Sequence, residues 1–384
     1  MKRLIVCCDG TWNSADSKNA ETNVALIARA IHANPEGGPQ QVVLYLRGVG
    51  SAGLVAETLW EGATGYGIDE NIRSAYMFIA QNYVPGDEIF LFGFSRGAFT
   101  ARSLAGFISA CGILKRQKLG DLLAAWDYYR DARTAPHSPA AFIESCHTDC
   151  HLDAEIKFLG VWDTVGALGI PGQLLAADNE KKFAFHDTGP CPIVKHARHA
   201  LAIDEHRDQF VPTLWTGTPP AGVDIEQVWF AGAHSDVGGG YVTRALADTP
   251  LVWMAKEAED KGLSLDWSCL PDPEKLDPRA PLHDSRTSVF TFDRLRPTLR
   301  EIAETPCEVS FYERLYAPIG PDGNALLTIN QAIHRSVITR YGEKAAFCTD
   351  DNAGAQEEQV YGARNLAPFF DQNGKYKGKP PIAE

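Results

Sequence analysis

Five apolar runs, each followed by small or polar residues, constrain the fold of this chain most. They span residues 3–12, 41–48, 88–97, 156–166 and 227–236. Continuous apolar runs, in place of strict alternation, are typical of strands in a parallel sheet that is covered on both faces. Helix-like stretches with an apolar stripe lie between them, at 23–32, 68–83 and 98–113. The alternation predicts an α/β fold of the doubly wound kind, with a mostly parallel sheet and helical insertions.

The 384 residues show no internal repeat and no flexible linker, so we expect a single domain over residues 1–372. Insertions near 116–153 and 167–223 are expected to form a cap, and the second contains a helix-like stretch at Val194–Ala202. Further helices are predicted at 249–261 and near 326–339. The tail 373–384 is rich in Gly, Lys and Pro and is expected to be loosely ordered.

Charge and hydropathy exclude several classes of partner. The chain has 36 Lys and Arg against 49 Asp and Glu, a formal net charge of −13, which argues against nucleic acid. No apolar run approaches the ~18 residues typical of a membrane span. The apolar stretch after Lys2 and Arg3 is too short for a signal peptide, so the sequence predicts synthesis in the cytosol.

The nine cysteines, an odd number, indicate reduced thiols and not a disulfide framework. One cluster allows another interpretation, because Cys146 and Cys150, like His147 and His151, are four residues apart. On a helix each pair would share a face and could bind zinc. A polar loop explains the same residues, and no second pair completes a site. We therefore predict no metal and no organic cofactor.

The run at 88–97 ends in Gly93-Phe-Ser95-Arg-Gly97, which is followed by a helix-like stretch. A strand, G-x-S-x-G and a helix in this order form the nucleophile elbow, a sharp turn that exposes a serine hydroxyl. The motif predicts Ser95 as a nucleophile. The alternative is an ordinary glycine-rich turn whose serine caps the helix.

A serine nucleophile needs a base and a carboxylate that orients the base. Asp163 and His234 follow later apolar runs and come in the order acid then histidine, so both should reach the sheet edge where Ser95 lies. A strand-end carboxylate and a structural histidine are the alternatives. His334, late in the chain, is a second candidate base. Asp236 is expected to shape the loop after His234.

Two backbone N–H groups must also stabilise the oxyanion. The N–H of Arg96 follows the nucleophile directly. Gly10 and Thr11, in the loop after the first strand, are in the position to supply the second donor.

Taken together, seven motifs resemble a family of α/β-hydrolase-like domains of unknown function shared by bacteria and fungi. They are Cys8-Asp-Gly-Thr-Trp-Asn13, Gly48-Val-Gly50, Gly62-Ala-Thr-Gly-Tyr-Gly67, Gly93-Phe-Ser-Arg-Gly-Ala98, Gly160-Val-Trp-Asp-Thr-Val165, Ala202-Ile-Asp-Glu205 with Arg207, and His234-Ser-Asp-Val-Gly-Gly-Gly-Tyr241. The family includes the first class of type VI secretion lipase effectors, which are phospholipases.

The resemblance implies an α/β-hydrolase core and a triad of Ser95, Asp163 and His234. It also implies a lipid or phospholipid substrate and transient contact with a membrane surface. For an effector it further implies export without a signal peptide and a secretion or immunity partner. The sequence thus predicts a serine hydrolase of carboxylic esters. The alternative is a non-catalytic protein of the same fold that binds a ligand or partner.

Overall fold

A parallel sheet of eight strands forms the centre of the computed structural model, which describes residues 1–10, 21–48, 66–131, 137–166, 189–286, 295–320, 322–348 and 356–384. The strands are β1 Arg3–Cys8, β2 Gln41–Leu46, β3 Glu88–Phe94, β4 Ile156–Trp162, β5 Val194–Ala202, β6 Asp224–Phe230, β7 Gln331–His334 and β8 Ile382–Ala383. Their order across the sheet is β2-β1-β3-β4-β5-β6-β7-β8, and every pairing is parallel. The five strands predicted from apolar runs are confirmed as β1 to β4 and β6.

Helices cover both faces of this sheet. They are α1 Asn23–Ala30, α2 Tyr66–Asn82, α3 Arg96–Cys111, α4 Leu122–Arg130, α5 Pro139–Cys146, α6 His234–Gly238, α7 Asp248–Asp260 and α8 Arg335–Arg340. In β1, Leu4 and Val6 pack into the core shared with α2 and α3, whereas Ile5 and Cys7 pack into the core shared with α1 and α7. The helices predicted at 23–32, 68–83, 98–113 and 249–261 are confirmed to within a few residues.

The helix predicted at Val194–Ala202 is wrong, because this segment is strand β5. Its alanines favour a helix in isolation. In the folded chain β5 lies between β4 and β6 and pairs with both, so its backbone hydrogen bonds are made across the sheet. Small side chains such as Ala200 and Ala202 are fully buried there. Tertiary pairing overrides local propensity at this position.

The prediction for the end of the chain is also corrected. Part of the helix-like stretch near 326–339 is strand β7, and α8 begins only at Arg335. The tail is not loosely ordered at its end, since Ile382 and Ala383 form the edge strand β8 along β7. Residues of β5, β6 and β7 share a third apolar core with the chain from about 280 to 376.

The insertion at 116–153 packs on α3. A short antiparallel ladder between Ile113–Leu114 and Cys150–His151 closes its base. In the second half of α3, Phe107 stacks on Tyr129 of α4 and meets Trp126 of the same helix edge-on. The described part of this insertion therefore contacts the half of α3 that lies away from Ser95.

Two further small sheets lie in the last third of the chain. Thr298–Arg300 pairs with Arg314–Tyr316, and Lys344–Cys348 pairs with Leu282–His283 and with Gln356–Val360. Among the described helices, none is both long and apolar enough to cross a membrane.

Candidate active site

Ser95 occupies a strained turn between β3 and α3. Its backbone has φ 58° and ψ −123°, a conformation that residues other than glycine rarely adopt. The Ser95 N–H donates to the carbonyl of Trp162 at 3.0 Å, which attaches the turn to the end of β4. The side chain of Ser95 makes no capping hydrogen bond to α3. This geometry is that of an elbow and not of a serine that caps a helix.

The two glycines of the motif allow this turn because they have no Cβ. A Cβ on Gly93 would lie 2.4 Å from the carbonyl oxygen of Gly97. A Cβ on Gly97 would lie 2.1 Å from the carbonyl oxygen of Cys8 at the end of β1. The first turn of α3 is therefore packed directly on the end of β1, next to the loop that begins at Asp9.

Asp163 and His234 form a buried hydrogen-bonded pair at the same edge of the sheet. Asp163 follows β4 directly, has φ 37°, and is fully buried. Its Oδ2 lies 2.6 Å from His234 Nδ1. His234 is the first residue of α6 and is also buried. The pair is close to the elbow, because the ring of Phe94, next to Ser95, lies 4.6 Å from the His234 ring.

Arg300, which the sequence analysis did not identify, binds the Asp163 carboxylate through both of its oxygens. Arg300 Nη1 donates to Asp163 Oδ1 at 2.7 Å, and Arg300 Nη2 donates to Oδ2 at 3.1 Å. The backbone N–H of Ala202 donates to Oδ1 at 3.0 Å. Burial raises the pKa of Asp163, but the charges and hydrogen bonds of Arg300 and His234 outweigh it and hold the pKa below its usual range. Asp163 is thus a carboxylate near neutral pH.

His234 lies between two aromatic rings. The Phe210 ring meets the His234 ring edge-on, with 4.9 Å between the ring centroids. The Phe94 ring contacts the same imidazole in a tilted arrangement. Burial lowers the pKa of His234, and the hydrogen bond and charge of Asp163 act against that shift. The net direction is downward. His234 is therefore neutral near pH 7 and can accept a proton.

A second carboxylate fixes the backbone of His234. Glu205 Oε2 accepts the His234 N–H at 3.2 Å, and Glu205 also accepts hydrogen bonds from Arg207 and from the Ser285 hydroxyl. Burial raises the pKa of Glu205, but Arg207 reverses the effect and lowers it to about 2. Arg207 in turn lies over the Phe210 ring at 3.5 Å. Glu205 and Arg207 were part of a motif, yet that motif gave them no role.

His334 and Asp236 make contacts outside this pair. His334 ends β7, stacks on Phe230, and has its Nδ1 2.8 Å from the Ser336 hydroxyl. Burial lowers its pKa to about 4. Asp236 accepts the backbone N–H groups of Ala233 and His283, and its Oδ1 lies 2.6 Å from His283 Nδ1. Asp236 thus shapes the turn that carries His234.

The loop after β1 is anchored by Asp9. Its carboxylate accepts the N–H of Gly10 at 2.7 Å and the hydroxyls of Thr22 and Tyr45. Thr11 lies outside the described residues. Arg96 is the first residue of α3, and burial lowers the pKa of its side chain to about 10. The N–H of Gly10, a predicted oxyanion donor, is thus bonded to the Asp9 carboxylate in this structure.

The zinc interpretation of residues 146–151 finds no support. Helix α5 ends at Cys146, His147 is left-handed with φ 49°, and Cys150 lies in a strand, so the pairs do not share a helix face. Within the described ranges, no group of three His, Cys, Asp or Glu side chains could hold a metal ion.

Comparison with known families agrees with the resemblance seen in the sequence. Residues 2–257 match the family described as T6SS phospholipase effector Tle1-like, catalytic domain. The chain belongs to this family. It is also 29% identical over 238 residues to an uncharacterized protein of Saccharomyces cerevisiae, YEL023C, covering 57% of this chain and 33% of the yeast protein. This Tle1-like chain thus has a relative in yeast.

Two solved structures are similar to the chain at low levels. An uncharacterized protein from Pseudomonas aeruginosa is 18% identical with a TM-score of 0.40, covering 71% of this chain and 48% of that one. The Tle1 effector bound to the VgrG spike of the type VI secretion system is 20% identical with a TM-score of 0.37, covering 63% and 51%. This Tle1-like chain spans about half of each and a third of the yeast protein.

Proposed function

We propose that this Tle1-like chain is a serine hydrolase of carboxylic esters that acts on lipids or phospholipids. The observation that carries the proposal is the buried Asp163–His234 hydrogen bond of 2.6 Å beside Ser95 in its strained turn. Strain at one serine and burial of the Asp163 carboxylate both cost free energy, and such costs are concentrated at functional sites. The family of phospholipase effectors supports the lipid substrate.

In the proposed reaction, Ser95 Oγ attacks the ester carbonyl while His234 Nε2 accepts its proton. Asp163 holds the His234 Nδ1–H and stabilises the imidazolium that forms. The N–H of Arg96 and an N–H of the loop after β1 stabilise the oxyanion. Since the Gly10 N–H is bonded to Asp9, Gly10 must turn away from that carboxylate to take part, or Thr11 supplies the donor. The His234 imidazolium gives its proton to the departing alcohol, which leaves Ser95 acylated; His234 then takes a proton from the water that attacks the acyl carbonyl and returns it to Ser95 Oγ as the acid leaves. No metal or organic cofactor takes part in this scheme.

The order of the strands supports an α/β-hydrolase fold for this chain. The oxyanion loop follows β1, the serine follows β3, the acid follows β4 and the histidine follows β6. All four strands are parallel, so the four groups meet at one edge of the sheet. The chain order serine, acid, histidine is that of α/β-hydrolases.

We further propose a single domain in which residues 1–372 are joined by strand β8 of the central sheet, with a cap formed by parts of 116–153 and 167–223. Support for the second part comes from Phe210, which covers the His234 ring. Ser95 is only 7% exposed and His234 only 4%. An ester must therefore enter by displacement of the covering segment, as in lidded hydrolases. Transient contact with a membrane surface, a secretion or immunity partner, and export without a signal peptide remain part of the proposal.

The test compares the wild-type chain with Ser95→Ala and with Ser103→Ala, a control at another buried serine of α3. Each is assayed on soluble p-nitrophenyl esters and on phospholipid vesicles, and each is treated with a fluorophosphonate probe. We expect Ser95→Ala to lose about 10³-fold or more in kcat and all labelling, while Ser103→Ala keeps both. Labelling of Ser95→Ala, or retained turnover, would exclude Ser95 as the nucleophile, whereas a wild-type chain with neither turnover nor labelling would support the non-catalytic alternative.

A further inference from the structure

Arg300 is the most completely buried cation near the candidate site. It ends the strand Thr298–Arg300, and its residue is 1% exposed. Besides its two bonds to Asp163, Arg300 Nη1 donates to the carbonyl of Ala202 at 2.7 Å, and Nη2 donates to the carbonyl of Phe210 at 2.5 Å. The guanidinium thus joins the acid, the end of β5 and the segment that covers His234.

These bonds leave the Asp163 carboxylate a single orientation. Oδ1 accepts from Ala202 N–H and Arg300 Nη1, and Oδ2 accepts from His234 Nδ1 and Arg300 Nη2. A guanidinium binds both oxygens of a carboxylate in one plane, so it fixes the rotation of the group as well as its charge. Without it, Oδ2 could rotate away from the imidazole.

We propose that Arg300 is a positioning residue of the Asp163–His234 pair, holding Oδ2 in the direction from which it accepts the His234 Nδ1–H. The proposal rests on the proposed function, since it acts through the base of that reaction. Arg300 lies outside residues 2–257, the span that matches the family. The last third of the chain is therefore part of the active site and not an appendage to it.

A merely structural role would predict a different outcome. A buried ion pair adds little net stability compared with apolar residues of the same size, whereas removing one partner leaves an unpaired charge. A matched comparison exists in Arg340, which is fully buried, donates to the carbonyls of Pro278 and Ala280, and stacks on Tyr361. Arg340 shares the burial and the carbonyl contacts of Arg300 but has no hydrogen bond to Asp163 among the described contacts.

The experiment measures kcat, KM and thermal unfolding on a soluble p-nitrophenyl ester for Arg300→Lys, Arg300→Met, Arg340→Lys and Arg340→Met. We expect Arg300→Met to lower kcat by about 10- to 100-fold with KM changed less than about 3-fold, because a misdirected base impairs the chemical step. Arg300→Lys should recover part of kcat, since it restores the charge without the second hydrogen bond. The Arg340 variants should keep kcat within about 3-fold wherever they remain folded.

A second readout is the acid limb of kcat/KM against pH. The charged groups around His234 are Asp163, Glu205 and Arg207, with Arg300 bonded to Asp163, and Asp236, two residues along α6, bonded to His283. If Oδ2 turns away from the imidazole, His234 loses the hydrogen bond that raises its pKa, so the acid limb should move to lower pH in Arg300→Met and less in Arg300→Lys. A carboxylate that kept its orientation without the Arg300 cation would instead stabilise the imidazolium more strongly and move the acid limb to higher pH, which would argue against a positioning role.

The decisive comparison uses Asp163→Asn, in which the carboxylate is already lost. If Arg300 acts through Asp163, adding Arg300→Met to Asp163→Asn should cost less than about 3-fold in kcat. A folded Arg300→Met with normal kcat and an unmoved acid limb would overturn the proposal, as would full additivity with Asp163→Asn. Failure of the proposed function is distinguishable, because then either the wild type would be inactive or Ser95→Ala would be active. Should Arg300→Met not fold, Arg300→Lys carries the same test.

Discussion

Gly97→Ala should damage both stability and turnover. The added Cβ would lie 2.1 Å from the carbonyl oxygen of Cys8 and 2.5 Å from that of Asp9, and contacts of this kind need at least 3.0 Å. Both opposing atoms are backbone atoms of a buried strand end, so no side chain can rotate away. The start of α3 must move outward by about 1 Å, which costs about 1–3 kcal/mol of unfolding free energy as overpacking. Ser95 moves with it, and a displacement of this size costs about 100-fold in rate.

The assay is urea unfolding together with kcat on a soluble ester. Gly120→Ala is the control, because a Cβ at Gly120 meets nothing within 4 Å. It should leave stability within about 0.5 kcal/mol of the wild type and kcat unchanged. A Gly97→Ala chain with normal stability and turnover would refute the close packing of the elbow on β1.

Two further outcomes follow from the histidines. Since burial lowers the pKa of His234 and the base must be neutral, the acid limb of kcat/KM should have its midpoint below pH 6.5, the ordinary pKa of histidine. A midpoint above 6.5 in the wild type would contradict this. His334→Gln should change kcat by less than about 3-fold, whereas His234→Ala should lower it by about 10³-fold or more, measured on the same ester; equal losses would return His334 to consideration as the base.

The sequence was most informative where chemistry and local pattern coincide. The strands β1, β3 and β4 are continuous apolar runs that end in Asp9, Ser95 and Asp163, so parallel pairing alone predicts that these residues share an edge. The contact between Asp163 and His234 follows from the same logic. The catalytic roles stay predictions until the variants are measured.

What the sequence could not reveal depends on long-range pairing. Strand β5 is rich in alanine and becomes a strand only because β4 and β6 lie on either side of it. Arg300 sits in a short Thr-Leu-Arg strand with no local signature of a site. Its contact with Asp163 spans 137 positions of sequence, which no periodicity or motif spacing encodes. Strand β8 has only two residues and is defined by β7 alone.

The position of Arg300 has a consequence for the order in which a ribosome makes this protein. Ser95, Asp163 and His234 are synthesised well before the guanidinium that neutralises Asp163. Until residue 300 emerges, the nascent chain can bury Asp163 only at the cost of an uncompensated charge, which favours leaving that edge of the sheet hydrated. Maturation of the site is therefore tied to synthesis beyond residue 300, and a product released before Arg300 would carry all three proposed triad residues without the cation that binds Asp163.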